Sequence, residues 1–279
     1  MNVLSLFDGI SCGQLALNRA NKKVHSYYSS EVDEYAIKVT QKHFPYTVQL
    51  GDINNFEQWK LPKIDIIIGG SPCQDLSSIK QHRTGLNGEK SKLFYLFIEC
   101  VKKFKPKYFL LENNSTMQKK FKDEISEILG VQPIEINSSL VSGQSRKRLY
   151  WTNIPNVCLP SDKNIMFADV LDDCAFKEIP NFFFNKWGDK KRIDKGVNVV
   201  TNEKSRCLTT NHGHPPQYLF NADKSMCRLL NIHECERLQT LPEDYTKVEG
   251  VSITQRHKQV GNAWTVDVIA HIFSFLEDM

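Results

Sequence analysis

Short aliphatic runs alternate with amphipathic stretches through the first 155 residues of this 279-residue chain. Val3–Phe7, Val24–Ser30, Val48–Leu50, Ile64–Ile68 and Tyr108–Leu111 read as strands. The Ile64–Ile68 run is isoleucine-rich, as a strand covered on both faces requires. Between them, Gly13–Asn18, Asp33–His43, Ser91–Phe104 and Phe121–Leu129 read as helices. In Ser91–Phe104, residues Leu93, Phe94, Phe97 and Val101 fall on one helical face. Ile134–Val141 and Leu149–Trp151 close the series as an antiparallel edge pair. Such alternation predicts an α/β fold with an open, doubly wound, Rossmann-like sheet. Ligands of that architecture gather at the carboxyl ends of the strands.

From Asn156 to about Arg206 the periodicity breaks. Phe182–Phe184, Trp187 and a Lys/Arg-rich stretch follow no regular spacing, which predicts a small separate lobe. The helices Ile232–Leu238 and Val266–Leu276 then return the chain to the first domain. The expected division is therefore a catalytic and cofactor-binding domain over 1–155, a small lobe over 156–206, and a completing segment over 207–279.

Composition narrows the class. Hydrophobic residues make up 41% and charged residues 24%, ordinary for a soluble globular protein. No run approaches the ~18 apolar residues of a membrane span. The chain opens straight into a strand, so no targeting segment is expected, and the protein should stay in the compartment where it is made. That is the cytoplasm of a bacterial or phage-infected cell, or the nucleus of a eukaryote. Eight cysteines lie scattered without a Cys-x-x-Cys pair, which favours reduced thiols over a disulfide framework and predicts no metal site. The net charge is only +4, but Phe176–Arg206 holds eight Lys/Arg against four Asp/Glu and alone matches that excess. A second basic stretch runs from Lys80 to Lys92. Clustered charge of this kind suits either a polyanion footprint or a solvated loop.

Two loops carry candidate chemistry. Phe7-Asp8-Gly9-Ile10 lies between the first strand and the first helix and lacks the glycine spacing of a pyrophosphate cradle. Acids close the first three strands instead: Asp8, Glu31 and Asp52. Each alone could be a helix cap; together they suit a ligand with hydroxyls and amines but no phosphate, such as S-adenosylmethionine. Glu31 is placed to accept ribose hydroxyls and Asp52 to take the adenine amine. The second loop, Gly70-Ser71-Pro72-Cys73-Gln74-Asp75-Leu76-Ser77, follows a buried strand. It presents the Cys73 thiol, and the next strand ends in Glu112-Asn113-Asn114. A thiol and a carboxylate so placed can meet over one substrate.

Ser71-Pro72-Cys73, Glu112-Asn113, Gln144-Ser145-Arg146-Lys147-Arg148, Arg206-Cys207-Leu208-Thr209, Glu236-Arg237-Leu238-Gln239 and Gly261-Asn262 occur in that order. The series resembles the DNA cytosine-5 methyltransferase family over nearly the whole chain, the basic lobe excepted. The wording of the motifs around Phe7 and Cys73 is nearest to the animal de novo enzymes, while the compact chain suits a phage or bacterial relative. The resemblance implies methyl transfer from S-adenosyl-L-methionine, with S-adenosyl-L-homocysteine as product, to carbon 5 of a flipped-out cytosine in double-stranded DNA (EC 2.1.1.37). It implies Cys73 as the nucleophile, Glu112 as the acid, and Arg146 and Arg148, two apart on one strand face, as holders of the base. Cofactor contacts are expected from Phe7, Asp8, Gly9, Ile10, Glu31, Val32, Asp52, Ile53, Pro72, Leu93, Asn262, Ala263 and Trp264. Nucleic-acid contacts are expected from Ser77, Arg83, Lys190, Lys191 and Arg192. The family usually carries a valine in the Glu-Asn run; an amide takes its place here, and Asn113 is expected beside the target base. The alternatives are a tRNA cytosine-5 methyltransferase and an inactive DNA-binding regulatory paralogue. Restriction-modification is the expected setting; the sequence leaves monomer and homodimer open and implies no membrane partner.

Overall fold

A computed structural model describes residues 1–70, 92–178, 198–199, 203–210 and 218–277. They form two compact units: Met1–Ile136 with Lys147–Leu159 and Ile269–Met279, and Asn137–Arg146 with Pro160–Val268.

The first unit holds β1 (Asn2–Leu6), α1 (Cys12–Arg19), β2 (Ser26–Ser30), α2 (Glu34–His43), β3 (Val48–Gln49), β4 (Ile66–Gly70), α3 (Lys92–Phe104), β5 (Tyr108–Asn114), α4 (Lys119–Leu129), most of β6 (Ile134–Asn137), and β7 (Lys147–Thr152). Among the described residues the sheet order is β3-β2-β1-β4-β5-β7-β6. The pairs from β3 to β5 are parallel and β7 runs antiparallel to β5. The predicted doubly wound sheet is what the chain builds. The strand order reverses between β1 and β4, the switch point where such sheets bind ligands. Both candidate loops leave the sheet there, one after Leu6 and one after Gly70.

Leu4, Leu6, Ile67, Phe94, Phe97, Leu111 and Trp151 belong to one buried cluster. The Trp151 indole N–H donates to Ser126 Oγ at 3.0 Å, which satisfies the polar edge of an otherwise apolar ring. Gly69 sits where β4 crowds its neighbours. A Cβ there would stand 2.9 Å from the Leu6 carbonyl oxygen and 3.2 Å from the Phe97 ring.

Some boundaries differ from expectation. β5 continues through Asn114 because Glu112, Asn113 and Asn114 pair with Tyr150, Leu149 and Arg148 of β7. β6 stops at Asn137, whose side chain accepts from the Ser139 N–H and starts a short 3-10 turn.

The second unit contains a sheet ordered β8 (Lys177–Glu178), β11 (Met226–Leu229), β10 (Tyr218–Phe220) and β9 (Asn198–Val199) among its described residues. Two-residue strands cannot stand alone, and the antiparallel β10–β11 pair supplies the frame. The unit also takes in residues 137–146. It includes α5 (Ile232–Leu238) and α6 (Ile253–Asn262), while α7 (Val266–Ser274) starts in this unit and runs into the first. The opening of α5 is a capping box: Asn231 accepts from the Glu234 N–H, and Glu234 accepts from the Asn231 N–H.

Candidate active site

The loop from β1 to α1 is unusual in its backbone. Phe7, Gly9 and Ser11 have φ of 58°, 59° and 59°, so three of five residues are left-handed. Gly9 takes that conformation freely, whereas Phe7 and Ser11 pay about 1–2 kcal/mol each. The side chain of Asp8 is turned into the protein rather than toward a ligand. Its Oδ1 accepts from Ser5 Oγ at 2.5 Å and Tyr27 Oη at 2.8 Å; its Oδ2 accepts from Ser11 Oγ at 2.6 Å and Ser29 Oγ at 3.0 Å. Burial pushes the carboxyl above its ordinary range, and the four hydroxyls pull it back only in part. Burial and the Asp8 charge keep the Tyr27 phenol protonated, hence a donor. Asp8 was expected as part of the ligand lining; its carboxylate is instead enclosed by the fold.

Glu31, at the end of β2, closes the loop from the other side. Its Oε2 accepts from the Gly9 N–H at 2.7 Å, and its Oε1 from the N–H groups of Val32 and Asp33. Beside it Val32 is 71% exposed, an apolar side chain left in water next to a carboxylate. Asp52 caps a 3-10 turn through Oδ1, which accepts from the Asn54 backbone and side chain. Its Oδ2 is left to accept. The Ile53 and Ile10 side chains are buried, at 4% and 2% exposure, so they reach a ligand only through their backbone. Leu93 and Phe7 pack against the main cluster while remaining partly exposed.

At the reactive end, Gly70 of β4 is the register partner of Glu112 of β5. The chain thus leaves β4 beside the Glu112 carboxylate, three residues before Cys73. Glu112 Oε1 lies 2.9 Å from Arg148 Nε, and both side chains are largely buried. Arg146 does not share that face. It precedes β7, and its guanidinium is buried in the second unit, where Nη1 donates to Cys207 Sγ and the Leu208 carbonyl. Its Nη2 donates to the carbonyls of Gly261 and Ala263. The shared face expected of Arg146 and Arg148 is not formed, and Arg146 instead clamps two chain segments together. Gly261 has its own reason: a Cβ there would collide with the Thr209 carbonyl.

The amide that replaces the family's valine is Asn114, not Asn113, because the run reads acid, amide, amide. Asn113 points to the opposite sheet face from Glu112, is 2% exposed, and accepts from the Asn114 N–H at 2.7 Å. Asn114 is the register partner of Arg148. In the second unit Asn262 is exposed and Trp264 half-buried, while the Ala263 side chain is buried. Pro72, Cys73, Ser77, Arg83, Lys190, Lys191 and Arg192 lie outside the described residues, as do Phe182–Phe184 and Trp187. Burial pushes the Cys100 thiol up to about 12 and raises Cys227 and Cys235, which makes all three inert. No group of three or more His, Cys, Asp or Glu among the described residues forms a metal site, and none of their helices is long and apolar enough to cross a membrane.

Two features escaped the sequence reading. One is the hydroxyl ring about Asp8, whose signal was the pairing of Ser5 with Ser29 on adjacent strands. The other is the ionic core of the second unit. There Arg228 grips Glu234 with bonds of 2.8 and 2.6 Å, and Arg256 reaches Glu236 and Asp244.

A sheet whose switch point lies between the loops that leave β1 and β4, with an acid-arginine pair bridging β5 and β7, defines an open α/β scaffold of the ligand-binding kind. The chain belongs to the C-5 cytosine-specific DNA methylase family, whose profile matches residues 1–132 and 136–277. Orphan methyltransferase M.SPRI of Bacillus phage SPR is 34% identical over 115 residues, covering 40% of this chain and 26% of that protein. The chain thus spans about a quarter of that relative's length. Type II methyltransferase M.FnuDI of Fusobacterium nucleatum is 28% identical, with 96% of this chain and 92% of that protein covered. The solved structure of Entamoeba histolytica methyltransferase EhMeth superposes with a TM-score of 0.76 at 19% identity, covering 99% and 97% of the two chains.

The family's methyl donor is S-adenosylmethionine, and the first unit's residues suit it. An exposed Val32 offers an apolar face, Glu31 and Asp52 offer oxygens to hydroxyls and an amine, and the β1–α1 loop lacks the glycine spacing of a phosphate cradle.

Proposed function

We propose that the protein transfers a methyl group to carbon 5 of cytosine in double-stranded DNA through a transient bond from Cys73. The register of Gly70 with Glu112 carries this reading, since it starts the Pro-Cys loop beside the acid. Glu31, Val32 and Asp52 would hold S-adenosylmethionine, which when bound supplies an electrophilic methyl on a sulfonium.

Carbon 5 of cytosine is a weak nucleophile. Addition of the Cys73 thiolate at carbon 6 forms a C–S bond and moves the ring electrons toward carbon 5, which then takes the methyl. Glu112 donates a hydrogen bond or proton to ring nitrogen 3 as charge builds there. Arg148 keeps the Glu112 carboxyl in place and turns its guanidinium to the base carbonyl. A base then removes the carbon 5 proton, the C5–C6 double bond re-forms, and the thiolate leaves. The ring must stand outside the duplex for this attack, at a cost of about a few kcal/mol. The target-recognition region of residues 156–206, with Lys190, Lys191 and Arg192 on phosphates, supplies contacts that offset that cost. Ser77 and Arg83 meet the nucleic acid.

Incubation with labelled methyl donor and either duplex DNA or tRNA tests the substrate, and bisulfite sequencing of a co-expressed plasmid reads its context. Label in cytosines of DNA is expected, with none in a Cys73→Ala variant. Label confined to tRNA overturns the DNA assignment, and label from Cys73→Ala at the wild-type rate overturns the mechanism.

A further inference from the structure

We propose that the ionised Asp8 carboxylate is the positioning residue that holds the β1–α1 loop in its ligand-ready shape. This rests on the proposed cofactor site. A carboxylate offers about four lone-pair positions. Here all four are taken by hydroxyls from three elements: Ser5 of β1, Tyr27 and Ser29 of β2, and Ser11 at the start of α1. Those residues are 0–2% exposed, so water does not substitute for any of them. Asp8 thereby pins the loop to both strands that flank it.

Ser11 shows what the pinning accomplishes. It stands at the N-cap of α1, where a serine side chain ordinarily accepts from the first-turn N–H groups. It makes no such bond, is left-handed at φ 59°, and gives its hydroxyl to Asp8. The carboxylate thus keeps Ser11 off the helix end and holds a left-handed residue that would otherwise relax. The charged and titratable groups around it are few. Tyr27 donates directly, and Glu31 takes the Gly9 N–H on the far side of the loop. Among the described residues no cation is bonded to Asp8.

An anion bound only by neutral donors works against its own burial, and the Asp8 carboxyl is accordingly raised from its ordinary 3.8. Two quantities then part company. As pH falls through the raised value, protonation relieves the buried charge and improves Asp8's own contribution to stability. The same proton turns one oxygen into a donor, so a hydroxyl that donated to it must reverse to accept, and the loop loosens.

The test measures S-adenosylhomocysteine affinity of the full chain by titration calorimetry between pH 4.5 and 8, with urea unfolding alongside. Wild type should bind more weakly as pH falls. Asp8→Asn should bind about tenfold or more weakly at pH 8, because two hydroxyls then face an NH₂ group, and should lose that pH dependence. Its stability relative to wild type should improve as pH rises. Equal affinity and equal pH profiles for the two proteins overturn the proposal. Should wild type fail to bind at every pH, the cofactor reading falls, and amide exchange of Gly9–Gly13 in the free chain decides Asp8 by itself. Faster exchange in Asp8→Asn supports the pin; unchanged exchange overturns it. Should Asp8→Asn not fold, Ser11→Ala serves in its place, with weaker affinity expected and wild-type affinity refuting the role.

Discussion

Asp8 in the first unit and Glu234 in the second are both enclosed carboxylates with every oxygen engaged, yet their donors differ in kind. Among the described residues Asp8 meets only hydroxyls. Glu234 is 0% exposed and receives a bidentate guanidinium from Arg228, plus the N–H groups of Asp172 and Asn231. A bidentate pair fixes geometry and charge together, and Glu234 in turn pushes the Arg228 guanidinium up. A ring of hydroxyls fixes geometry but leaves the charge uncompensated. The difference teaches where this chain is rigid and where it is adjustable: the α5 acid locks a frame with its counter-ion, while the loop acid holds its turn through neutral donors.

The most damaging test of that contrast is Glu234→Ala. It strips the counter-ion from a buried arginine and removes half of the α5 capping box. A loss of about 3–5 kcal/mol is expected, read as a shift in the urea midpoint at pH 7. A loss below about 1 kcal/mol would mean that the pair sits in a far more polar setting than its burial indicates.

Glu112 separates chemistry from frame in the first unit. Glu112→Gln should lower the methyl-transfer rate by about 10²–10⁴-fold, the range for a positioned acid. S-adenosylhomocysteine affinity should stay near the wild-type value. An undiminished rate would remove Glu112 from the mechanism.

The two arginines of Arg146-Lys147-Arg148 sharpen the comparison within three residues. Arg146→Ala leaves the Leu208, Gly261 and Ala263 carbonyls short of a donor and should cost about 1–3 kcal/mol of stability. Arg148→Ala should change stability by less and lower the transfer rate, since its partner is the Glu112 carboxylate. Unfolding midpoints and single-turnover rates measured on both variants check the split. Equal effects of the two changes on both readouts would refute it.

These two arginines also show how far the sequence could be read. Their spacing suggested a shared strand face, and the inference was sound for residues inside a strand. β7 begins at Lys147, however, and the main-chain N–H of Arg146 is already committed to Asn137. No periodicity within five residues could announce that boundary. The doubly wound sheet was legible because its central strands β1, β4 and β5 carry apolar runs, and local pattern decides such strands. The second unit was not. β8 and β9 are two residues long, and β10–β11 is held by pairing between segments with little period of their own. Acids closing successive strands were likewise visible as a set. Which of them faces outward depended on Ser5, Ser29 and Tyr27, hydroxyl residues that individually look like ordinary strand filler.

The gentlest perturbation is pH, and here the carboxylates of the two units should respond with opposite sign. Hydrogen bonds from Lys247, Arg256 and His233 hold Asp244 down at about 2, and Arg237 lowers Asp172 in the same way. A lowered folded-state value means stability that is fully present above the unfolded value of 3.8 and is lost as pH falls through the folded one. Wild type should therefore weaken between pH 3.8 and about 2. Asp244→Asn should be less stable at neutral pH and converge on wild type across that window. Asp8, raised rather than lowered, contributes in reverse: its stabilising share is present below 3.8 and fades as pH climbs through the folded value. Asp8→Asn should thus gain on wild type with rising pH while Asp244→Asn falls behind. Urea midpoints for the three proteins from pH 2 to pH 8 measure both slopes. Slopes of the same sign would show that the loop carboxylate has a counter-charge after all, and that the two acids are held by one kind of environment rather than two.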